Sequence, residues 1–468
     1  MSTLVWQVHF TRRRLLWPRE PQPLLDGWEP GELDAWLDAE DIPEGLPFLL
    51  DPDGRYDVDL NRYFQRAQIQ AGPENTQRAI AYDLRNWLSF LWCNRGGKSW
   101  RDAAAEDRAA YQYWRRRDTA GPHVEGSTWE REVATANGFY RWAVRQGLVA
   151  ETPIEQRPTR STRGRWPEEH ETPAERPHDA RRHAISWLPP KSYRQWRDVG
   201  IRGYLPVGLT DPSFRGRHAA RNQAFCDLML RTGLRLAEQV SLTRFELPDL
   251  DPSRVQVPFW LPRAVAKRGS ARWVYVPAAV LRAVWDYVAF ERAEAVERAQ
   301  AAGRYESLDD ALLVEDPARP RVWTGGGWVK VAKLDPQERT RLLVRTPQGL
   351  EPAMLWLAGD GLPTSPRAWQ AVFRDANARC RRRGVNLRAN PHKLRHSFAV
   401  ITLEQLQRGH LRDLERMNAA QRRSYQMLFG DPLDWVRRRL GHASPETTAG
   451  YVDSQELHQT GEKLQVAC

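Results

Sequence analysis

The chain has 468 residues, of which 41% are hydrophobic, and a formal net charge of +11. This length exceeds one ordinary domain and the apolar content is close to globular usage, so we expect two or three folded domains rather than a disordered chain. The basic excess favours a polyanionic partner, either nucleic acid or an anionic membrane surface.

Membrane insertion and secretion are not predicted. The sequence has no apolar run of about 20 residues, which a membrane-spanning helix needs. Its first residues are polar and basic, with Arg12, Arg13 and Arg14, and lack the apolar core of a signal peptide. We therefore expect a cytoplasmic protein with no membrane partner.

Cysteine and tryptophan usage points to packing rather than to metal or redox chemistry. The four cysteines, Cys93, Cys226, Cys380 and Cys468, include no CxxC pair, so neither a zinc site nor a disulfide framework is predicted. Cys226 lies in an apolar helical pattern and is expected in the core. Most of the 21 tryptophans stand at helical spacing with other apolar residues, which favours core packing over base stacking.

In chain order, residues 1–58 are rich in Pro, Asp and Glu and predict an extended or partly folded N-terminal arm. Residues 59–150 predict a helical domain, since apolar residues recur there at helical spacing. Two Ser-x-x-acid pairs, Ser99 with Asp102 and Ser127 with Glu130, have the spacing of capping boxes that start helices.

The outer faces of these predicted helices are rich in arginine. The arginines are Arg78, Arg85, Arg115, Arg116, Arg117, Arg131 and Arg141. They form either an ordinary solvated helix surface or a DNA-backbone contact surface, and the net charge favours the second interpretation.

Residues 151–184 resemble a linker, with many Pro, Arg, Glu and Thr and few apolar residues. The following region alternates predicted helices with two strands, and no internal repeat is visible. The predicted elements are a helix over 219–231 ending at Gly233, strands at 255–257 and 272–276, a helix over 279–300, irregular chain over 303–350 with Gly325-Gly326-Gly327 between possible short strands, a helix from Ser365 to Gly384, and a helix starting at Asn390 and Pro391.

One group of side chains could bind and attack a phosphodiester. His392 and Arg395 are three residues apart in the first turn of a predicted helix, where backbone N–H groups favour an anion. Arg235 follows a helix-ending glycine and can supply a second guanidinium, whose planar donor fork suits the non-bridging oxygens of a phosphate. His442 follows Gly441, and a tyrosine such as Tyr451 can act as a covalent nucleophile.

Each of these residues also has an ordinary structural interpretation. A lone arginine is usually a surface charge, and a lone tyrosine is more often a packing residue. His392 and His396, four apart, have the spacing of metal ligands, but Lys393 stands where the HExxH pattern has glutamate, so a metal site is disfavoured. The joint spacing of the set, rather than any single member, indicates a catalytic site.

Three segments together resemble the tyrosine recombinase or phage integrase family. They are Thr232-Gly233-Leu234-Arg235-Leu236-Ala237-Glu238, His392-Lys393-Leu394-Arg395-His396, and Leu440-Gly441-His442 with Thr447, Thr448 and Tyr451. The resemblance covers about 190–455 well, and the region of about 59–150 resembles the SAM-like core-binding domain of the family with lower specificity. It implies a mainly α fold with a small antiparallel β-sheet: a helical SAM-like domain at 59–150 and a mixed α/β catalytic domain at 185–455, followed by a tail at 456–468.

Carried onto this sequence, the resemblance implies a role for each residue. Arg235 and Arg395 would clamp the scissile phosphate, His392 would assist proton transfer, and His442 would donate a hydrogen bond to a non-bridging oxygen. Tyr451 would attack, giving a 3′-phosphotyrosine and a free 5′-hydroxyl. Lys267, on the predicted hairpin, would protonate the leaving oxygen, although basic hairpin tips are common. Glu238 would buttress Arg235.

The implied partners are double-stranded DNA and further copies of the chain, which would assemble as a tetramer and exchange strands through a Holliday junction. An accessory DNA-bending protein is a further expected partner, and DNA binding would place the protein on the nucleoid. Phosphoryl transfer needs positioning and charge stabilisation, which cationic side chains can supply, so we expect neither metal nor cofactor. The N-terminal arm and the insertions lean towards a mobile element.

Two departures from the compact family pattern and two alternative functions remain. The segments 303–350 and 407–430 look inserted, and the second contains Tyr425, a weak rival nucleophile. The tail after Tyr451 is either an exchanged segment or a frayed end.

The alternative functions are a type IB topoisomerase-like nicking-closing enzyme and a DNA-binding protein that has lost catalysis. The second is disfavoured because the complete set of catalytic residues is present.

Overall fold

The structure is a computed structural model that divides into two compact units, residues 1–182 and 183–468. The residues that the structure describes are 5–12, 32, 35–36, 39–40, 43–161, 168–177, 186–308, 310–324, 326–415 and 432–442. The mainly α-helical fold with small antiparallel sheets is confirmed. Within the described ranges, no helix is both long enough and apolar enough to span a membrane.

The first unit is a helical domain with two short hairpins. Its elements are β1 (Gln7–Phe10), β2 (Pro47–Leu50), α1 (Val58–Arg62), α2 (Ala67–Gln70), α3 (Glu74–Asn94), α4 (Ala105–Arg116), α5 (Gly126–Arg145), β3 (Gln156–Ser161) and β4 (Glu168–Pro173). The apolar face predicted for α5 is confirmed, because Trp129, Val133, Phe139 and Tyr140 are all fully buried. Gly147, with a φ of +68°, follows this helix in the left-handed conformation expected of a terminating glycine.

Part of the predicted N-terminal arm belongs to the fold of this unit. Strand β1 pairs antiparallel with β2, and Trp6, Leu46 and Leu49 are buried in the same core as α3 and α5. These residues therefore agree with the partly folded alternative and not with the extended one, and their two strands are not visible in the sequence pattern. The reason is that each strand has four residues, too few for a periodic signal to stand out in a Pro- and acid-rich segment.

Both predicted capping boxes are wrong. Ser99 caps a short 3₁₀ turn, Trp100–Asp102, and α4 starts later, where the Asp107 carboxylate accepts a hydrogen bond from the Ala104 N–H at 2.9 Å. Ser127 lies inside α5, which begins at Gly126. The same spacing also occurs in ordinary turns, because a serine can cap a single turn without starting a helix.

Arg115 was wrongly assigned to the outer surface of the helices. It is buried and pairs with Glu132, its Nε donating to one carboxylate oxygen at 2.9 Å, while Tyr111 donates to the same oxygen at 3.1 Å. Arg117 and Arg141 do lie exposed. A helical repeat predicts which face is apolar, but it does not reveal a buried ion pair at the margin of that face.

The predicted linker, residues 151–184, contains ordered structure. Strands β3 and β4 form an antiparallel hairpin in register from Gln156 with Pro173 to Ser161 with Glu168. The indole N–H of Trp129 donates to the Glu175 carbonyl at 2.9 Å, which ties the end of this hairpin to α5. The boundary between the compact units follows at residues 182 and 183.

The second unit contains the three motif segments. Its elements are α6 (Pro190–Arg197), α7 (Ala219–Thr232), α8 (Leu236–Val240), β5 (Gln256–Leu261), β6 (Arg272–Pro277), α9 (Ala278–Tyr287), α10 (Ala293–Ala301), β7 (Leu312–Val314), β8 (Arg321–Thr324), β9 (Gly327–Lys330), α11 (Pro336–Arg339), β10 (Leu342–Thr346), β11 (Gly349–Pro352), α12 (Pro366–Arg382), α13 (Pro391–Glu415) and α14 (Pro432–Leu440). Helix α7, predicted as buried, does form the centre of the main core, with Phe225, Cys226 and Leu228 at most 1% exposed.

The segment predicted as irregular, 303–350, is a small folded module. Strands β8 and β9 form one hairpin, and β10 pairs antiparallel with β11 and parallel with β7. Seven residues form its separate apolar core: Val314, Val322, Val331, Leu334, Leu342, Val344 and Ala353. The possible short strands beside Gly325–Gly327 are confirmed as β8 and β9. The rest of the segment is not irregular as predicted, because its strands of three to five residues are too short to produce a readable alternation.

A buried arginine fixes this module to the segment that follows α8. Arg339 is fully buried, and its guanidinium donates to the carbonyls of Leu334 at 3.0 Å, Val331 at 3.1 Å and Ser241 at 3.1 Å. It also pairs with the Glu246 carboxylate at 3.0 Å. The first two bonds lie within the module and the last two reach outside it, so Arg339 joins the two parts.

Candidate active site

Arg235 is held by the backbone at the start of α8. Gly233 ends α7 with a φ of +65°, and the chain then re-enters a helix with Arg235 as the capping residue. The Glu238 carboxylate accepts from the Arg235 N–H at 2.9 Å and from its guanidinium at 2.9 Å. One acid therefore caps the helix and orients the side chain of the first predicted phosphate ligand.

Gly233 is expected to tolerate no side chain. A Cβ built there would lie 2.3 Å from the Phe398 ring, in a conformation that L-residues rarely adopt. We expect Gly233→Ala to lower the free energy of unfolding by at least ~2 kcal/mol more than the matched change Gly303→Ala. Gly303 has a similar φ of +62° but open space around it. Urea denaturation would check this, and equal losses in the two variants would contradict the contact with Phe398.

His392 and Arg395 lie at the N-terminus of α13, as predicted. The Asn390 side chain accepts from the Lys393 N–H at 2.8 Å, and Pro391 occupies the first helical position. This is the expected start of a helix, because Asn satisfies an N–H that has no partner within the helix and Pro has none to satisfy. The positive end of the helix therefore adjoins His392, as an anion site requires.

His442 is placed by the way α14 ends. Gly441 adopts a φ of +65°, its N–H donates to the Arg438 carbonyl at 3.1 Å, and the His442 N–H donates to the Arg437 carbonyl at 3.1 Å. This pair of bonds is the Schellman helix ending, which requires a residue that tolerates the left-handed conformation. The Leu-Gly-His sequence is thus a helix terminator that fixes the histidine immediately after it.

Arg395 links the three motif segments. It is 3% exposed, and its guanidinium donates to the carbonyls of Gly233 and Leu440. Its Nη2 also lies 3.3 Å from Nε2 of His442. Since a guanidinium can only donate, Nε2 is the acceptor in this contact, and the N–H of the neutral His442 ring is then at Nδ1.

Arg272 joins the hairpin of β5 and β6 to the same site. Its Nη2 donates to Glu238 at 2.7 Å and its Nε donates to the Arg439 carbonyl, next to the end of α14, at 2.9 Å. Although burial alone would raise the pKa of Glu238, the hydrogen bond and charge of Arg272, together with Arg235, lower it to about 2. Glu238 is therefore a carboxylate, 1% exposed, held between two arginines.

Lys267 lies in the connection between β5 and β6, as predicted. It begins a short 3₁₀ turn, Lys267–Gly269, and its backbone N–H donates to Glu238 at 3.4 Å. Its side chain is exposed, yet its charge contributes to the electrostatic environment of His392. The hairpin of β5 and β6 therefore places Lys267 close enough to His392 for its charge to act on that ring.

The histidines of the site are held in the neutral form. Burial, reinforced by the charges of Arg395 and Arg235, lowers the pKa of His392 and lowers that of His442 to about 3. Burial and the charges of His392 and Arg395 lower the pKa of His396 to about 4. The rings of His392 and His396 meet edge to face, with centroids 4.0 Å apart. In the free protein, the site therefore carries its positive charge on arginine and lysine.

These lowered pKa values predict that the protein without DNA loses stability on acidification. Below pH 6.5, the unfolded chain binds protons at His396 and His442 that the folded chain does not bind, so the free energy of unfolding falls with pH. Urea unfolding midpoints measured from about pH 7 to about pH 5 would check this. We expect a smaller dependence in the double variant His396→Gln/His442→Gln. An unchanged dependence would contradict the assignment.

The structure brings together Arg235, Glu238, Lys267, His392, Arg395 and His442, through the contacts and charges given above. Tyr451, Thr447 and Thr448 lie outside the described residues, as do Tyr425 and the tail at 456–468. Sequence reasoning missed Arg272, which was grouped with the basic residues of the hairpin tip. The signal was present, because Arg272, Val274 and Val276 alternate onto one buried face of β6.

Comparison with known families gives two matches. The model of the phage integrase family matches residues 210–407, and the model of the phage integrase N-terminal SAM-like domain matches residues 58–147. The first match covers most of the second compact unit, and the second match covers about half of the first unit. No curated protein sequence matches.

Several solved structures are distantly similar. XerH recombinase bound to difH DNA in a post-cleavage complex has a TM-score of 0.46 at 12% identity, covering 87% of this chain and 88% of that one. A lambda integrase dimer on a COC′ core site has a TM-score of 0.43 at 10% identity, covering 85% and 94%. The Tn1549 transposon integrase with circular intermediate DNA has a TM-score of 0.43 at 12% identity, covering 84% and 94%. The family assignment rests on the two family models.

Proposed function

The chain belongs to the phage integrase family of tyrosine recombinases, and we propose that Tyr451, Arg235, Arg395, His392, His442 and Lys267 carry out its reaction. The protein is a tyrosine-type DNA strand transferase that performs site-specific recombination. The observation that best supports this residue set is the convergence of the three motif segments on Arg395, which contacts the Gly233 carbonyl and His442.

In the proposed reaction, the Tyr451 oxygen attacks the scissile phosphorus and the bond from phosphorus to the 5′-oxygen breaks. His392 takes the phenolic proton, and the neutral state of this ring makes it a competent acceptor. Lys267 gives a proton to the departing 5′-oxygen. The products are a 3′-phosphotyrosine and a free 5′-hydroxyl, and attack by a second 5′-hydroxyl reverses these steps without ATP.

The arginines and His442 would stabilise the negative charge on the phosphate oxygens. Arg235 is 24% exposed and is oriented by Glu238, so its guanidinium can reach a phosphate oxygen. Arg395 and the positive end of α13 add to the field at the same place. The neutral His442 ring keeps one N–H to donate to a non-bridging oxygen. This arrangement supplies the positioning and electrostatics that phosphoryl transfer needs.

In its assembly on DNA, the protein would act as a tetramer that brings two DNA sites together and exchanges strands through a Holliday junction. An accessory DNA-bending protein would be a further partner. The recombinase would serve a mobile genetic element and work in the cytoplasm, on the nucleoid when bound to DNA. The folded module at 303–350 and the long span between Arg395 and His442 favour a specialised element-encoded enzyme over a minimal one.

Covalent capture of genomic DNA tests the function directly. The wild-type chain would be incubated with fragmented DNA from the source organism and denatured, and the DNA ends linked to protein would be sequenced. We expect adducts at a few inverted-repeat loci. Adducts scattered over all sequences would instead favour the type IB topoisomerase-like enzyme. DNA binding without adducts would favour a binding protein that has lost catalysis.

A further inference from the structure

The hairpin of β8 and β9 presents an unusual outward face. Arg321 pairs with Lys330 and Trp323 pairs with Trp328 across the two strands, so these four side chains share one face. Trp323 is 59% exposed and Trp328 is 52% exposed, whereas Val322 on the opposite face is fully buried in the core of the module. We call the four outward residues the Trp-cation ladder.

The sequence in and around this hairpin is basic. From Pro317 to Leu334 the sequence contains Arg319, Arg321, Lys330 and Lys333 and no carboxylate. The preceding stretch is acidic, with Glu306, Asp309, Asp310, Glu315 and Asp316 close together in the sequence. The ladder therefore combines exposed aromatic surface with two cations, Arg321 and Lys330, that form no ion pair among the described residues, and an anionic partner complements such a surface.

The ring geometry limits the kind of nucleic acid that would fit. The two indoles meet edge to face, with centroids 5.7 Å apart and an interplanar angle of 75°. The Arg321 guanidinium lies 4.6 Å from the centroid of Trp328 and covers part of that ring. Because the two indoles are not parallel, a base cannot be sandwiched between them. Proteins that bind single strands stack bases on aromatic rings, and here the Arg321 guanidinium already covers part of the Trp328 ring.

A protein partner fits this face less well than DNA does. Protein–protein interfaces are enriched in Trp and Arg but depleted of Lys, and a stable one buries a larger area than a four-residue ladder offers. In contrast, Arg and Lys side chains commonly contact DNA phosphates. The indoles would then pack against sugar carbons beside those phosphates.

We propose that the Trp-cation ladder is a second DNA-contact surface, which binds the backbone of duplex DNA independently of the active site. This goes beyond the proposed function, although it rests on that function for DNA as the partner. Arg321 and Lys330 would each neutralise a phosphate, and Trp323 and Trp328 would exclude water from the contact. The surface would add affinity without base readout.

Salt-dependent binding of the full chain to a duplex of arbitrary sequence, and separately to one of its strands, tests the proposal. We expect Arg321→Gln/Lys330→Gln to reduce the slope of log affinity against log salt by about 0.9 for each lost phosphate contact. Trp323→Thr/Trp328→Thr should weaken binding roughly tenfold at an unchanged slope. Arg298→Gln, a change at a similarly exposed arginine of α10, is the control and should alter neither quantity.

Three results would overturn the proposal: wild-type slope and affinity in both double variants, an equal loss in the control, or a loss restricted to single-stranded DNA. Thermal melting would check that each variant is folded, which is expected because the changed side chains are exposed. Covalent capture distinguishes this proposal from the proposed function. If wild-type protein formed no adducts, the assigned function would fail, while the binding slopes would still decide the role of the ladder.

Discussion

Tyr451→Phe is expected to abolish covalent capture of DNA while leaving DNA affinity close to that of the wild type. Phenylalanine keeps the ring but removes the oxygen that would form the phosphotyrosine. Loss of a nucleophile usually costs several orders of magnitude, so adducts should fall by at least about 10⁴-fold. Quantifying protein-linked DNA ends after denaturation would measure this, with filter binding as the measure of affinity.

Tyr425→Phe is the matched control for this experiment. Both tyrosines follow Arg395 in the sequence, but Tyr425 lacks the Gly-His and Thr-Thr context that precedes Tyr451. The control should cleave like the wild type. Adducts that persisted in Tyr451→Phe and disappeared in Tyr425→Phe would overturn the assignment of the nucleophile and transfer it to the longer segment between the second and third motifs.

Arg272→Met is expected to be the most destabilising single change at the site. Methionine has similar length but leaves the Glu238 carboxylate, which is 1% exposed, without its closest cationic partner. Removing one member of a buried ion pair typically costs about 3–5 kcal/mol. The Arg439 carbonyl would also lose a donor, so the end of α14 would loosen. Urea denaturation would measure the loss, and Arg263→Met, at an exposed position of the same connection, should change stability little.

A double variant distinguishes the effect of the ion pair on the stability of the fold from its effect on the orientation of Arg235. Replacing both partners, as Arg272→Met/Glu238→Met, removes the buried carboxylate that has lost its closest cation and should recover part of the lost stability, less the contribution of the helix cap that Glu238 provides. It should not recover DNA cleavage, because Arg235 would lack the carboxylate that orients it. A double variant that cleaved DNA like the wild type would show that Glu238 and Arg272 serve the fold alone. Wild-type stability of Arg272→Met would contradict the buried ion pair itself.

The motif residues could be predicted because each depends on local backbone rules. Gly233 and Gly441 mark helix ends, and Asn390 with Pro391 marks a helix start, so the placement of Arg235, His392 and His442 followed from short segments of sequence. Arg272 was missed because its role depends on Glu238, 34 residues away, and on a carbonyl near the end of α14. Partners so distant in sequence leave no spacing pattern, although the alternation along β6 did indicate a buried position.

The inserted module shows a second limit of the sequence. Its strands are short and its core is assembled from five separate stretches of sequence, so only the possible strands beside Gly325–Gly327 could be recognised. Ser99 shows the opposite error, since a familiar spacing led to a helix start that the chain uses for a single turn. Local sequence patterns therefore predict structure well where the backbone conformation requires a particular residue, as at helix ends. They predict it poorly where tertiary packing determines which element forms.

The burial of Arg339 has a consequence for engineering shorter versions of this enzyme. Deleting the module at 303–350 would remove the guanidinium that contacts the Ser241 carbonyl and Glu246, and would uncover Phe245, which packs against the module core. These residues follow α8 directly, the helix that begins with Arg235. A minimal recombinase could therefore not be obtained by joining the ends of the insertion. The exposed apolar ring would invite aggregation, and repair would require redesigning the residues from Ser241 to Glu246 as new outer surface.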